Sequence, residues 1–340
     1  MPECRFSLQR HLESLYAETP RRFAFRAATP GEYRSWKDAF RGELTQLLGL
    51  AGRQRPKAAA EKLRAEDRGR YVEEKYSLDV AEGVFAPIYV LVPKADPPFK
   101  PVLVFHGHNP SVQYILGNYP DEKTAAEQTA RDNNYAQVLA EAGYLVCAVE
   151  QRGFGERLSK GFQEGWTCSD RHLAFAYLMQ GRCVIGERCW DGMCAIDYLA
   201  TRDDVVRGPL AATGNSGGGT TTLWLSALDE RVSVAVPSCY FCSFKASIID
   251  LRHCECNYAP GILRLGEMGD LAAMIAPRPL RVIAGEQDDI FPIAAVREQF
   301  ETVKRAYSLL GAEQKCSLAV HPGPHAYNHE MSHEWLAKWL

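Results

Sequence analysis

The sequence predicts an α/β protein: a mostly parallel central sheet with helices on both faces, preceded by an N-terminal helical extension. Three observations carry that expectation. Apolar runs rich in β-branched residues, PVLVFHGH (101–108), YLVCAVE (144–150) and VSVAVPS (232–238), read as strands buried on both faces. Stretches with helical spacing separate them, and alternation of this kind builds parallel sheets. The third observation is Gly208 to Leu225, GPLAATGNSGGGTTTLWL, a short apolar strand that enters a helix through a very tight turn.

Taken in order, Ser7 to about Gly69 carries helical signals. Leu12, Leu15 and Tyr16 share one face, and Trp36, Phe40, Leu44, Leu47 and Leu48 form a second stripe. Pro30 suits a helix start. Arg53 to Arg70 is charge-rich and is expected as a solvated helix or loop. Residues 1–69 are therefore expected to form a helical extension packed on a main domain spanning 70–340. YVEEKYSLDV and VFAPIYVLVP, either side of Ala81-Glu82-Gly83, read as a hairpin. Ser111 to Arg131 is a polar, turn-rich insertion, and NYAQVLAEAG (134–143) a short amphipathic helix closed by glycine. Arg152 to Trp166 lacks periodicity and is expected as a loop. Asp170 to Thr201 reads as a helix broken near Gly186, and Cys239 to Met274 as an irregular segment. A strand ending at Gly285, a helix over Ala294 to Leu310, the strand KCSLAVHP and a helix over Tyr327 to Leu340 close the chain.

With 340 residues, 46% hydrophobic and 24% charged, the composition suits a soluble globular chain with a sizeable core. A net charge of −3 gives no electrostatic footing for nucleic acid or an anionic membrane as partner. No window of about 18 uninterrupted apolar residues is present, so no transmembrane helix is expected. The N-terminus is charged throughout and lacks an apolar stretch, so a cytoplasmic location is expected. Eleven cysteines, an odd number, suggest reduced thiols used as small apolar residues.

Within the tight turn, Gly214-Asn215-Ser216-Gly217-Gly218 is a G-x-S-x-G pattern. So sharp a bend forces its central residue into a strained conformation and projects the side chain above the sheet. Ser216 is thus a candidate nucleophile, with the Gly217 N–H and the positive end of the following helix where an oxyanion would form. A serine hydroxyl needs a neighbouring base, and an imidazole suits that task. Four histidines crowd the C-terminus: His321, His325, His329 and His333. His325, on a Pro-Gly-Pro loop between strand and helix, is best placed to reach the sheet edge, with His329 second. Glu286, Asp288 and Asp289 follow the preceding strand and offer the carboxylate that would orient the base.

With PVLVFHGH, the glycine-flanked Ser216, GEQDDIFP and HPGPHAY in that order, the chain resembles an α/β-hydrolase from about Tyr71 to its end. EQRGFGER, WDGMCAIDYL, SALDERV and IAPRPL narrow the likeness to the dienelactone hydrolase and acetyl xylan esterase-like branch. The resemblance implies a catalytic domain over 70–340, with Ser216 as nucleophile. It places the acid at Asp288, by the pattern G-x-x-D-x-x-x-P, and the base at His325, by G-x-H. It also implies an oxyanion hole from the backbone N–H groups of Gly217 and His108. The activity it implies is cofactor-free hydrolysis of a small-molecule or carbohydrate carboxylic ester through an acyl-enzyme, deacetylation of a carbohydrate being favoured by the likeness alone. A dienelactone-type or a prolyl-oligopeptidase-like hydrolase is the alternative, although about 70 helical residues cannot build the propeller that usually precedes the latter. A catalytically silent hydrolase scaffold is the alternative of another class.

No metal is expected. His106 and His108 are two residues apart, without an acidic or cysteine partner at a recognised spacing. Cys239-x-x-Cys242 with Cys254-x-Cys256 permits a structural zinc, but buried thiols in a substrate-side loop are the more economical account. Tyr240, Phe241, Phe244 and Tyr258 in that segment suit either a pocket lining or ordinary packing. Arg152 and Glu156-Arg157 suit either an ion-pair network bracing their loop or contacts to a polar substrate.

Overall fold

The apolar runs become the middle of a nine-stranded sheet in the computed structural model, which describes residues 6–159 and 168–340. The strands are β1 (Ala60–Asp67), β2 (Tyr71–Ala81), β3 (Val84–Pro93), β4 (Pro101–Phe105), β5 (Leu145–Val149), β6 (Ala211–Asn215), β7 (Val234–Ser238), β8 (Leu280–Gly285) and β9 (Cys316–His321). Their spatial order is β1-β2-β3-β5-β4-β6-β7-β8-β9. The pairings from β1 to β5 are antiparallel, and those from β5 through β4 to β9 are parallel. The helices are α1 (Gln9–Glu18), α2 (Pro30–Leu47), α3 (Glu122–Thr129), α4 (Tyr135–Glu141), α5 (Asp170–Leu178), α6 (Val184–Leu199), α7 (Gly217–Leu228), α8 (Met268–Ala273), α9 (Ile293–Leu309) and α10 (His329–Trp339).

Successive side chains of a strand point to opposite faces, so the central strands supply two cores at once. Leu103, Phe105, Cys147, Val149 and Ala212 face one core, where Phe40 and Leu44 of α2, Ile185 of α6, Leu223 of α7 and Val296 of α9 cover them. Val102, Val104, Val146, Ala148 and Ala211 face the other, under Tyr135 and Leu139 of α4 and Trp335 and Leu336 of α10. Burial on both faces is why those runs are continuously apolar and do not alternate.

Four expectations need correction. Ala60–Asp67 is a strand and not a solvated helix or loop. It pairs with β2 and holds it by charge: Lys62 and Arg64 reach Glu74 and Glu73. Leu12 and Leu15, which share one face of an extension expected to pack on the main domain, remain 42% and 47% exposed, and α1 buries none of its side chains. The polar insertion over 111–131 contains a helix, α3, capped by Asp121, whose side chain accepts the Thr124 N–H at 2.8 Å. The helical stretch 170–201 breaks between Leu178 and Val184, ahead of Gly186. Gly186 instead lies inside α6, where a Cβ would stand 2.5 Å from the Leu48 carbonyl oxygen. Part of the loop expected over 152–166 falls on 160–167, outside the described residues.

The turn joining β6 to α7 is packed directly on β4. A Cβ at Gly214 would lie 2.5 Å from the Phe105 carbonyl oxygen, and one at Gly218 would overlap that same oxygen. That oxygen cannot give way, because β4 is hydrogen-bonded on both sides. Gly218→Ala is therefore expected to lower stability by about 3 kcal/mol or more, as overpacking against main chain does. Gly42→Ala, on an exposed helical turn with nothing near its Cβ position, should raise stability by roughly 0.5–1 kcal/mol. Thermal melting of the two variants checks the pair, and similar melting temperatures would remove the steric account.

Candidate active site

The strained turn sets Ser216 at φ 55° and ψ −120°, a region costly to any residue with a side chain. Its N–H donates to the Ser238 carbonyl at 2.9 Å, and its own carbonyl accepts the Thr220 N–H at 2.8 Å. The serine is thereby fixed between β7 and the first turn of α7. Every residue of α7 is buried, so its N-terminal dipole faces the turn with little solvent screening.

Asp288, just past β8, is 6% exposed. Its Oδ1 accepts the N–H groups of Ile290 and Phe291 at 3.1 and 3.0 Å, and its Oδ2 lies 2.7 Å from His325 Nδ1. Both carboxylate oxygens are therefore occupied, and a carboxylate acceptor places the proton of His325 on Nδ1, leaving Nε2 as the basic nitrogen. Phe291 stacks on the His325 ring with centroids 5.7 Å apart. Cys239, the residue after Ser238, has its sulfur within 4.8 Å of the polar atoms of both Asp288 and His325. Ser216, Asp288 and His325 thus gather at the carboxyl ends of β6, β8 and β9, around the end of β7.

The other candidates lie elsewhere or are otherwise engaged. Glu286 is exposed and pairs with Arg297 at 2.9 Å, and Asp289 is exposed. His321 turns its ring to the Ala326 carbonyl and the Gly323 N–H. His329 Nε2 meets Asn134 Oδ1 at 3.1 Å, and His333 packs edge-on against Tyr144.

His108 has in space the partners that its sequence spacing did not offer. Its Nε2 lies 2.9 Å from Asp170 Oδ2 and 3.7 Å from the Cys256 sulfur, while its ring stands over Gly217. Arg188, fully buried, donates to Asp170 Oδ1 at 2.5 Å. Burial opposes a charge on His108, but Cys256 and Asp170 beside it outweigh that and hold its pKa well above the usual 6.5. Burial likewise opposes the charge of Asp170, and Arg188 and His108 outweigh it. Partners 62 and 148 residues away leave no local signature.

Among the described residues, two groups of metal-capable side chains lie close: His108 with Asp170 and Cys256, and Cys239 with Asp288 and His325. Of the four cysteines considered for zinc, Cys256 falls in the first group and Cys239 in the second, while Cys242 turns to the Pro292 carbonyl. In the first group the Arg188 cation already occupies Asp170, and Asp170 and Cys256 address the same imidazole nitrogen, as hydrogen-bond partners do. His106 is fully buried, its Nε2 accepting the Gln151 N–H at 3.1 Å. Arg152 and Arg157 converge on Asp191 at 2.6–2.9 Å, and Glu156 pairs with Lys75, so these residues brace the loop after β5.

A cavity of about 350 Å³ is lined by Arg171, Phe175 and Leu178 of α5 and by Arg252, His253 and Tyr258; of these His253 packs against Phe291, which stacks on His325. Among the lining residues only Tyr258 was foreseen as a pocket residue. Tyr240, Phe241 and Phe244 are fully packed in the core.

A sequence model described as the Abhydrolase family matches residues 8–333. A Bacillus subtilis (strain 168) protein, YtaP, which carries the provisional name of a hydrolase, is 28% identical over 308 residues, covering 88% of this chain and 98% of that one. A Bacteroides fragilis protein provisionally described as an acetyl xylan esterase superposes with a TM-score of 0.83 at 17% identity, covering 98% of this chain and 95% of the other. A glucuronoyl esterase from Solibacter usitatus gives 0.69 at 15% identity, covering 93% and 96%. At such identities the structural likeness speaks for a common α/β fold.

Titration of the imidazoles by NMR should find His108 well above its ordinary 6.5, and Asp170→Asn should bring it down, since burial then acts with one counterweight fewer. A His108 titration unmoved by Asp170→Asn would refute the pairing.

Proposed function

The chain belongs to the Abhydrolase family of α/β-hydrolases, and from that premise we propose that it is a serine carboxylic ester hydrolase acting through an acyl-enzyme on carbohydrate esters. The observation that carries this reading is the 2.7 Å contact of Asp288 with His325 at the same sheet edge as the strained Ser216.

In the proposed cycle, Ser216 Oγ attacks the ester carbonyl carbon as His325 Nε2 takes its proton. The carbonyl oxygen becomes an oxyanion, stabilised by the backbone N–H groups of Gly217 and His108 and by the dipole of α7. The bond to the alcohol oxygen then breaks, and His325 returns the proton to that oxygen. Water attacks the acyl group next, giving a proton to His325, and Ser216 departs with that proton. Asp288 holds the imidazole in one tautomer and stabilises the imidazolium formed twice in the cycle.

The substrate class is supported by the acetyl xylan and glucuronoyl esterases among the structural neighbours. The cavity that His253 lines supports it too, since aromatic and charged side chains together suit a polyhydroxylated ring. Small acetylated sugars are accordingly the first substrates to assay.

An active-site fluorophosphonate should label one residue, and peptide mapping should find it at Ser216. Ser216→Ala is expected to abolish labelling and to lower esterase turnover by roughly 10³-fold or more in a folded protein. His325→Ala should cost a comparable factor, whereas His329→Ala should cost little. A folded protein that takes no label would leave a silent hydrolase scaffold, and the reverse histidine pattern would move the base to His329.

A further inference from the structure

His253 combines a fixed tautomer with a vacant donor. Its Nδ1 accepts the Cys254 N–H at 3.0 Å and lies 2.7 Å from Asn257 Nδ2. The backbone N–H can only donate, so Nδ1 is an acceptor and a neutral ring must carry its proton on Nε2. Among the described residues that Nε2 is buried and has no hydrogen-bond partner. A buried N–H without an acceptor costs about 1–3 kcal/mol, an unusual thing to build unless something arrives to fill it. Burial first, and then the neighbouring imidazoles of His108 and His325, lower the His253 pKa to about 4, so the ring stays neutral near pH 7.

The position of the ring is equally determined. Asn257 Oδ1 accepts from Thr220 Oγ1 at 3.0 Å, which ties His253 through Asn257 to the first turn of α7 and hence to Ser216. On its other side the ring meets Phe291 at 5.0 Å, and Phe291 in turn stacks on His325. The same ring lines the cavity that opens beyond. His253 therefore stands in the wall between the reacting groups and the cavity, separated from His325 by the Phe291 ring.

Resting on the esterase reading above, we propose that His253 is a specificity-determining residue whose Nε2–H holds a ring or hydroxyl oxygen of the bound carbohydrate ester, away from the scissile carbonyl. The sugar then occupies the cavity, with its ester directed past Phe291 to Ser216. An ester whose alcohol part lacks such an oxygen gains nothing from His253.

The test compares glucose pentaacetate with 4-nitrophenyl acetate. His253→Phe keeps a ring and removes the donor, whereas His253→Gln returns an N–H to the Nε2 position. For the pentaacetate, His253→Phe should lower kcat/KM roughly fivefold or more, chiefly through KM, and His253→Gln should recover most of that loss. With 4-nitrophenyl acetate both variants should stay within about threefold of the parent protein. Fluorophosphonate labelling of Ser216 verifies the site in each variant. Should the Phe variant fail to label, His253→Asn, whose amide is too short to reach, replaces it in the comparison. Equal losses on both esters, no loss on either, or a Gln variant no better than its donor-less counterpart would overturn the assignment. An unmodified protein that hydrolyses the aryl ester but no acetylated sugar would overturn it as well. Failure of that protein to label at Ser216 would instead strike the hydrolase reading beneath it.

Discussion

The contact on which the rest depends is the approach of the 214–218 turn to the Phe105 carbonyl of β4. Only glycine fits at 214 and 218 at that separation, so the chain must reverse from strand to helix within one residue. Ser216 takes the strain, at φ 55°. Such a conformation costs on the order of 1–3 kcal/mol and persists only where the surroundings over-determine it. Here they do: α7 is buried along its whole length, and Ser216 is hydrogen-bonded through both its N–H and its carbonyl. A parallel sheet also puts the carboxyl ends of β6, β8 and β9 on one edge, the edge that carries residues 216, 288 and 325.

A second layer of organisation is electrostatic. Successive turns of α6 present Glu187, Arg188 and Asp191, all fully buried, toward the loop after β5. Arg152 spans Glu187 and Asp191, Arg157 adds to Asp191, and Arg188 donates both to the Arg152 carbonyl and to Asp170. Burial alone would raise the Asp191 pKa, but Arg157 and Arg152 outweigh it and lower it. Buried networks of this kind add little net stability, because desolvation offsets the attraction; what they fix is position. The braced loop carries Phe154, whose ring stands edge-on to both His106 and His108 at 5.1 and 5.2 Å. Charge pairing on α6 is thus transmitted to the imidazole over Gly217.

Much of this was legible in the sequence, for a physical reason. Ser216 sits in a turn that needs glycine and His325 on a Pro-Gly-Pro loop, whereas the strand end before residue 286 offered three carboxylates and the resemblance singled out Asp288. Local conformation leaves a local trace. β1 was hidden because an edge strand is defended by charge, and AEKLRAED shows lysine, arginine and glutamate where a central strand would show valine. Leu12 and Leu15 misled because helical periodicity reports a face without saying whether anything covers it. The partners of His108, and the tautomer of His253, are products of tertiary contact. A motif cannot encode them, and only the folded chain brings Asp170, Cys256 and Asn257 to those rings.

The central claim is that the strain at Ser216 serves a covalent step. The most direct measurement is mass spectrometry of protein quenched with acid during turnover of an aryl acetate. The account predicts an intermediate heavier by one acetyl group, carried on the peptide that contains Ser216 and absent from Ser216→Ala. Acetate released with no acylated protein, or an acetyl group on any other residue, would contradict it.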